Sequence, residues 1–181
     1  MDDHWPKLVR SKRTAVSPWL EVIARDVQFF PEARVDTYYA IGQPHYLAAL
    51  AVTSEERILL VRQYRPAIER FSLELPAGLL EENEDPAEAM SRELLEETGH
   101  SSRSIELIGV TTTCSSRISN VMYSFFIQAG ERVADFVEEP GVSVRSVTPT
   151  ELRDLILSGE FAEQTHLGVL SLAAYKGLIS I

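Results

Sequence analysis

Arg92, Glu93, Glu96 and Glu97 crowd into six positions of the segment GLLEENEDPAEAMSRELLEETGH, residues 78–100. On a helix turning about 100° per residue, the three glutamates fall within an arc of about 100°. Glu93 and Glu97, four apart, repel at a cost of roughly 0.2–0.5 kcal/mol unless something compensates. Their place near the C-terminal half of such a helix is also disfavoured by the macrodipole. A cation relieves both problems. A hard divalent ion takes oxygen ligands of this kind, whereas zinc is usually held by His or Cys. The plain alternative is a solvated acidic helix face.

The helix that must position these side chains has legible limits. Asp85 is an N-cap candidate, Pro86 takes the first helical position, and Glu88, three after the cap, completes a capping box with Asp85 in place of Ser or Thr. Gly99 is the C-terminal stop. Ala87, Met90 and Leu94 occupy the adjoining arc and anchor the helix to a core.

The full spacing around this helix runs Gly78, Glu84, Arg92, Glu93, Leu94, Glu96, Glu97, Gly99, eight positions within 22 residues. In this spacing the chain resembles a Nudix hydrolase. Where that family prefers a bulky apolar residue, this sequence has His100. The resemblance implies an α/β/α sandwich with a mixed sheet, and Mg²⁺ as cofactor with Mn²⁺ as a substitute. It implies Glu93 and Glu97 as the principal metal ligands, Glu96 as a third, and the backbone carbonyl of Ala77 as a fourth donor. Arg92 and Glu84 correspond to the family's orienting pair. The chemistry implied is hydrolysis of a phosphoanhydride, in which the ion bridges phosphate oxygens, activates water and stabilises the leaving group.

Two segments outside the helix bear on the substrate. VRQYR (61–65) and ELPAG (74–78) resemble the branch of the family that cleaves ADP-ribose and related nucleoside diphosphate sugars. Arg65, with Arg62, is a candidate for the diphosphate, against an edge-strand salt bridge as the simpler fate. Glu74 could meet a base or orient the loop. Many members of that branch carry a proline where this chain has Ser115, so Arg117 or Asn120 in the loop CSSRISN could contact a different terminal sugar or phosphate. A late glutamate serves as base or completes the metal site in that branch, and Glu138 and Glu139 are the matching candidates. The branch also implies a homodimer whose N-terminal region helps clasp the nucleobase. Trp19 is a candidate for stacking, alongside Trp5, Tyr38 and Tyr39.

Length and composition set the frame. A chain of 181 residues, 45% hydrophobic, can bury one substantial core. The sequence divides into residues 1–43, a small antiparallel β subdomain, and residues 44–181, the hydrolase domain with strands and helices mixed as α/β or α+β. Lys7, Arg10, Lys12 and Arg13 give the first part local positive charge, for a solvated run or a phosphate or interface role. The net charge of −10 argues against nucleic-acid and anionic-membrane partners. No apolar run resembles a secretory signal or a membrane span, so the expected compartment is the cytoplasm. The lone Cys114 leaves no intrachain disulfide. The function expected is Mg²⁺-dependent hydrolysis of a nucleoside diphosphate sugar, ADP-ribose foremost. The alternatives are hydrolysis of a dinucleoside polyphosphate or another diphosphate-linked substrate, and a non-catalytic nucleotide-sensing module.

Overall fold

The computed structural model describes residues 5–180, which fall into two units. The first comprises the described residues up to 44 with the later segment 112–121. Its three strands, β1 (Lys7–Ser17), β2 (Leu20–Gln28) and β3 (Val35–Gly42), form one antiparallel sheet in that order. The segment 112–121 fastens to β3: Ile41 donates its N–H to the Arg117 carbonyl at 2.7 Å, and its carbonyl accepts from Ser119 at 3.0 Å. Asn120, buried there, donates from Nδ2 to the Pro44 carbonyl and accepts from the Thr113 hydroxyl. A small antiparallel sheet is what the sequence leads one to expect here, and β1, the segment that carries the basic run, is one of its three strands.

The second unit comprises residues 45–111 and 122–181. Its strands are β4 (Tyr46–Val52), β5 (Ile58–Arg65), β6 (Arg70–Glu74), β7 (Ala77–Leu79), β8 (His100–Thr112), β9 (Val121–Arg132) and β10 (Val142–Val147). Its helices are α1 (Pro86–Thr98), α2 (Pro149–Ser158) and α3 (Gln164–Tyr175). The sheet order is β10-β5-β4-β9-β8, with β6 beside β5 and β7 beside β4. β4 and β9 are parallel, whereas β5 pairs antiparallel with β10, β4 and β6, so the sheet is mixed.

Strand β4 reads YLAALAV and is buried on both faces, as an internal strand covered by helices should be. Alternation sends Leu47, Ala49 and Ala51 to one side, where Ala89, Met90 and Leu94 of α1 cover them. Ala48 and Leu50 face the other side, packed with Leu152 and Leu155 of α2 and Val169, Leu170 and Ala173 of α3. These three layers are the α/β/α sandwich expected from sequence. Among the described residues no helix is long and apolar enough to cross a membrane.

The helix ends follow their capping residues. Asp85 accepts from the N–H groups of Ala87 and Glu88 at 2.9 and 3.2 Å, and Gly99 closes α1 at φ 74°. Thr148 and Glu151 form a reciprocal capping box at the start of α2. The limits of α1 therefore put the acidic residues where the sequence places them, in the C-terminal half of the helix.

Candidate active site

Strand β7 and helix α1 meet through one hydrogen bond and one close approach. Ala77 donates its N–H to Oε2 of Glu97 at 2.9 Å. A Cβ built on Gly78 would fall inside the Glu93 carboxyl group, so only glycine lets the β7 backbone come this near. Burial pushes the Glu97 carboxyl up to about 8, with neighbouring Glu93 adding to the rise against the pull of the Ala77 N–H. Burial also raises Glu93, against the opposing charge of Arg92.

Arg92 organises the other side of the cluster. Its Nε and Nη2 donate to the two oxygens of Glu84 at 3.0 and 3.2 Å, while Nη1 donates to Glu93 at 2.9 Å and Glu96 at 3.0 Å. These bonds hold the Glu84 carboxyl below its usual range and raise the guanidinium. Glu96 is thereby drawn outward, its side chain 55% exposed against 16% for Glu93. The three glutamates thus do not share one environment: Glu93 and Glu97 turn to β7, and Glu96 turns to Arg92 and solvent. Among the described residues no three acidic, His or Cys side chains gather as a metal cage.

A second ion pair lies beside the first cluster. Arg65 donates from Nε and Nη2 to the two oxygens of Glu74, which is 2% exposed. Burial alone would raise the Glu74 carboxyl, but the bonds and charge of Arg65 outweigh it and hold it low. Arg65 is therefore already engaged with a carboxylate, the simpler of its two readings. Next to the pair, His166 accepts the Leu75 N–H at Nδ1 over 3.1 Å, which puts the proton of the neutral ring on Nε2. Burial lowers the pKa of this ring, which is 4% exposed. Arg65, Glu74, His166, Ala77, Gly78 and Thr165 line one cavity of about 500 Å³.

His166 is the residue that sequence reasoning missed. In the run THLGVLSLAAY it reads as one polar position on an apolar helix, and no spacing ties it to ELPAG, 91 residues earlier. The remaining candidates have partners of their own or belong to the first unit. The Arg62 guanidinium stacks over Phe71 at 3.7 Å. Glu138 accepts from the Val144 N–H at 3.1 Å and faces Arg132, and the Glu139 carbonyl accepts from Val142 in the turn before β10. Trp19, exposed in the β1–β2 turn, and Arg117 belong to the first unit. His100 follows the helix-stopping glycine and its Nδ1 lies 2.9 Å from the Gly130 carbonyl, so its ring bonds to β9.

The NUDIX domain family model matches residues 44–166. The ADP-ribose pyrophosphatase of Bacillus subtilis (strain 168) is 30% identical over 144 residues, 78% of this chain and 77% of that one. The chain belongs to the Nudix family. Its reaction class is that of a pyrophosphohydrolase. A more distant relative is the CMP-5'-(N-acetyl-N-hydroxy-3-aminopropyl)phosphonate hydrolase of Streptomyces rubellomurinus (strain ATCC 31215), 23% identical over 89% of this chain and 79% of that one. Among solved structures, an ADP compounds hydrolase has the same fold, with a TM-score of 0.80, 22% identity and 98% of each chain covered.

Nudix proteins generally use divalent metal ions, and the local chemistry accommodates one. Two half-buried carboxylates, Glu93 and Glu97, lie beside a glycine backbone, and each is raised by burial and by like charge around it. Binding a hard cation would remove that penalty and return both groups to the carboxylate form. The donors are oxygens throughout, which suits magnesium or manganese better than zinc.

Proposed function

We propose that this Nudix protein hydrolyses the diphosphate bond of a nucleoside diphosphate sugar, ADP-ribose foremost, to a nucleoside monophosphate and a sugar phosphate with Mg²⁺. The observation that carries the reading is the cavity of about 500 Å³, whose lining includes Ala77, Gly78, the Arg65–Glu74 pair and His166. Its volume is in the range of small-molecule and cofactor sites, roughly 300–1,000 Å³. The substrate preference draws further support from the named activity of the Bacillus subtilis relative.

In this reading Glu93, Glu97 and the Ala77 carbonyl hold the metal, with Glu96 available as a further donor. The ion when bound screens the phosphate oxygens and activates water. Arg92 fixes the Glu93 carboxyl through Nη1 and is itself fixed by Glu84, so this pair positions the ligands without touching substrate. Glu74 holds the fork of Arg65 in one plane, which leaves the remaining N–H groups of that guanidinium for a diphosphate oxygen. Either Glu138 or Glu139 is proposed as the base, and Arg117 and Trp19 as further substrate contacts; Arg62, the other sequence candidate for the diphosphate, is not among the residues that line this cavity. The assembly is proposed to be a homodimer.

A panel of ADP-ribose, GDP-mannose, UDP-glucose, NADH and diadenosine polyphosphates with Mg²⁺, followed by product identification, tests the substrate. ADP-ribose is expected to give AMP and ribose 5-phosphate with the highest kcat/KM. Glu97→Gln is expected to lower turnover at least about a hundredfold, on the order of 2.7 kcal/mol in the barrier. Near-normal turnover in that variant would remove Glu97 from the metal site, and preference for a polyphosphate would replace the sugar substrate.

A further inference from the structure

A second cavity, of about 290 Å³, is lined by Arg62, Arg70, Arg145, Phe71, Ser72 and Glu160 among others. Its arginines come from three strands. β10 runs beside β5 with Arg145 opposite Leu60, and β5 runs beside β6 with Arg62 opposite Leu73, so Arg145 and Arg62 share one face of the sheet two residues apart along β5. Arg70 begins β6 and enters the same cavity from the strand's end.

Unlike Arg65, Arg92 and Arg57, none of these three forms an ion pair among the described residues. Arg145 lies near enough to Glu151 to help lower its pKa without bonding to it. Among the described residues that line this cavity, Glu160 carries the only carboxylate, so three guanidinium charges are set against one negative charge. Such an excess is unexpected in a chain of net charge −10, in which like charges gain nothing from crowding. Stacking on Phe71 fixes the plane of Arg62 and leaves its N–H edge free to bond in that plane.

We propose that this cavity binds a phosphate monoester, separately from the diphosphate site. The doubly charged terminal phosphate would accept paired N–H bonds from Arg145 and Arg70, with Arg62 closing on it edge-on. The volume exceeds that of a bare phosphate, so the ester-linked sugar has room in it, with the Phe71 ring at the wall.

The test is calorimetric titration of the metal-free protein, where no turnover occurs, with inorganic phosphate, ribose 5-phosphate and AMP in separate arms. Ribose 5-phosphate or AMP is expected to bind more tightly than inorganic phosphate. The double variant Arg70→Gln, Arg145→Gln is expected to weaken that binding by at least about tenfold, since it removes two charge-assisted contacts. Hydrolysis of the diphosphate substrate by the same variant should stay within about twofold of wild type, because neither residue belongs to the diphosphate site. Should the double variant fail to fold, Arg145→Lys keeps the charge and loses the fork, and its binding should still fall measurably. Binding unchanged in the variants, absence of binding at millimolar ligand, or preference for inorganic phosphate would each overturn the proposal. Wild-type protein that binds the monoester but hydrolyses none of the diphosphate substrates would instead count against the diphosphate reading alone.

Discussion

Glu97 is a residue whose environment opposes its own charge. It is buried against β7, bonded to the Ala77 N–H and set beside Glu93, and its carboxyl is pushed from 4.5 up to about 8. The consequence for stability has a definite sign. Between these two values the native state holds a proton that the unfolded chain has released, so stability falls as pH rises. The contribution is complete below pH 4.5 and is lost as pH passes about 8. In the metal-free protein the melting temperature should therefore drop between pH 5 and pH 9. Glu97→Gln should flatten that slope and be the more stable protein at pH 8, because the amide oxygen still accepts from Ala77 without a charge to bury. Added Mg²⁺ should restore the wild type by binding the carboxylate form. Thermal melts by circular dichroism in chelator and in Mg²⁺ check all three; a wild type that is as stable at pH 9 as at pH 5 without metal would refute the account. Turnover and stability are thus expected to move in opposite directions at this one position, as they would for a residue kept for the proposed chemistry.

At the scale of elements, the site depends on how closely β7 approaches α1. Gly78→Ala would place a methyl group in the space of the Glu93 carboxyl, and β7 is pinned from its other edge by pairing with β4. The strain should be relieved by moving Glu93 and its Arg92 bond, so kcat is expected to fall by at least about tenfold while the fold is retained. Steady-state kinetics beside a melting curve separates these two effects. Much of this arrangement is legible in the sequence because it is local: Asp85, Pro86 and Gly99 mark the limits of α1, and spacing alone puts Glu93 and Glu97 on neighbouring bearings. The orientation of Glu96 is not legible. Helical periodicity places it and Glu97 at opposite ends of a 100° arc, and whether such a residue faces the site or solvent depends on Arg92, which takes it outward. Partners distant in sequence are illegible for a related reason. The Arg65–Glu74 pair lies across a strand pairing, and the bond from Leu75 to His166 joins the end of β6 to α3 across the layers of the sandwich.

At the scale of the whole molecule, the first unit presents a surface that a monomer has little reason to keep. From sequence the basic run of β1 reads as solvated or as holding a phosphate or interface role, its charged residues hiding a strand pattern, and all eleven residues of the strand are exposed. The pairing register shows what lies next to it. Val22 faces Ile41, Ala24 faces Tyr39 and Gln28 faces Val35, so Val22, Tyr39, Ile41 and Val35 share one face of the sheet, all exposed. The opposite face holds buried Ile23. Val22, Ile41 and Tyr39 are neighbours there, with Val35 beyond the Asp26–Thr37 pair, and apolar side chains so grouped on one face of a small sheet are candidates for an interaction surface. A second copy of the chain is the partner that the proposed homodimer supplies, with the same patch on both sides of a two-fold axis. Sedimentation equilibrium should therefore give twice the chain mass of 20.3 kDa. Tyr39→Asp with Ile41→Asp puts two carboxylates on that face, directly opposite another pair if the patch meets itself, and should shift the equilibrium to monomer by at least about a hundredfold in dissociation constant. A wild type that sediments at one chain mass, or a double variant that still dimerises with unchanged affinity, would place the dimer contact elsewhere or remove it.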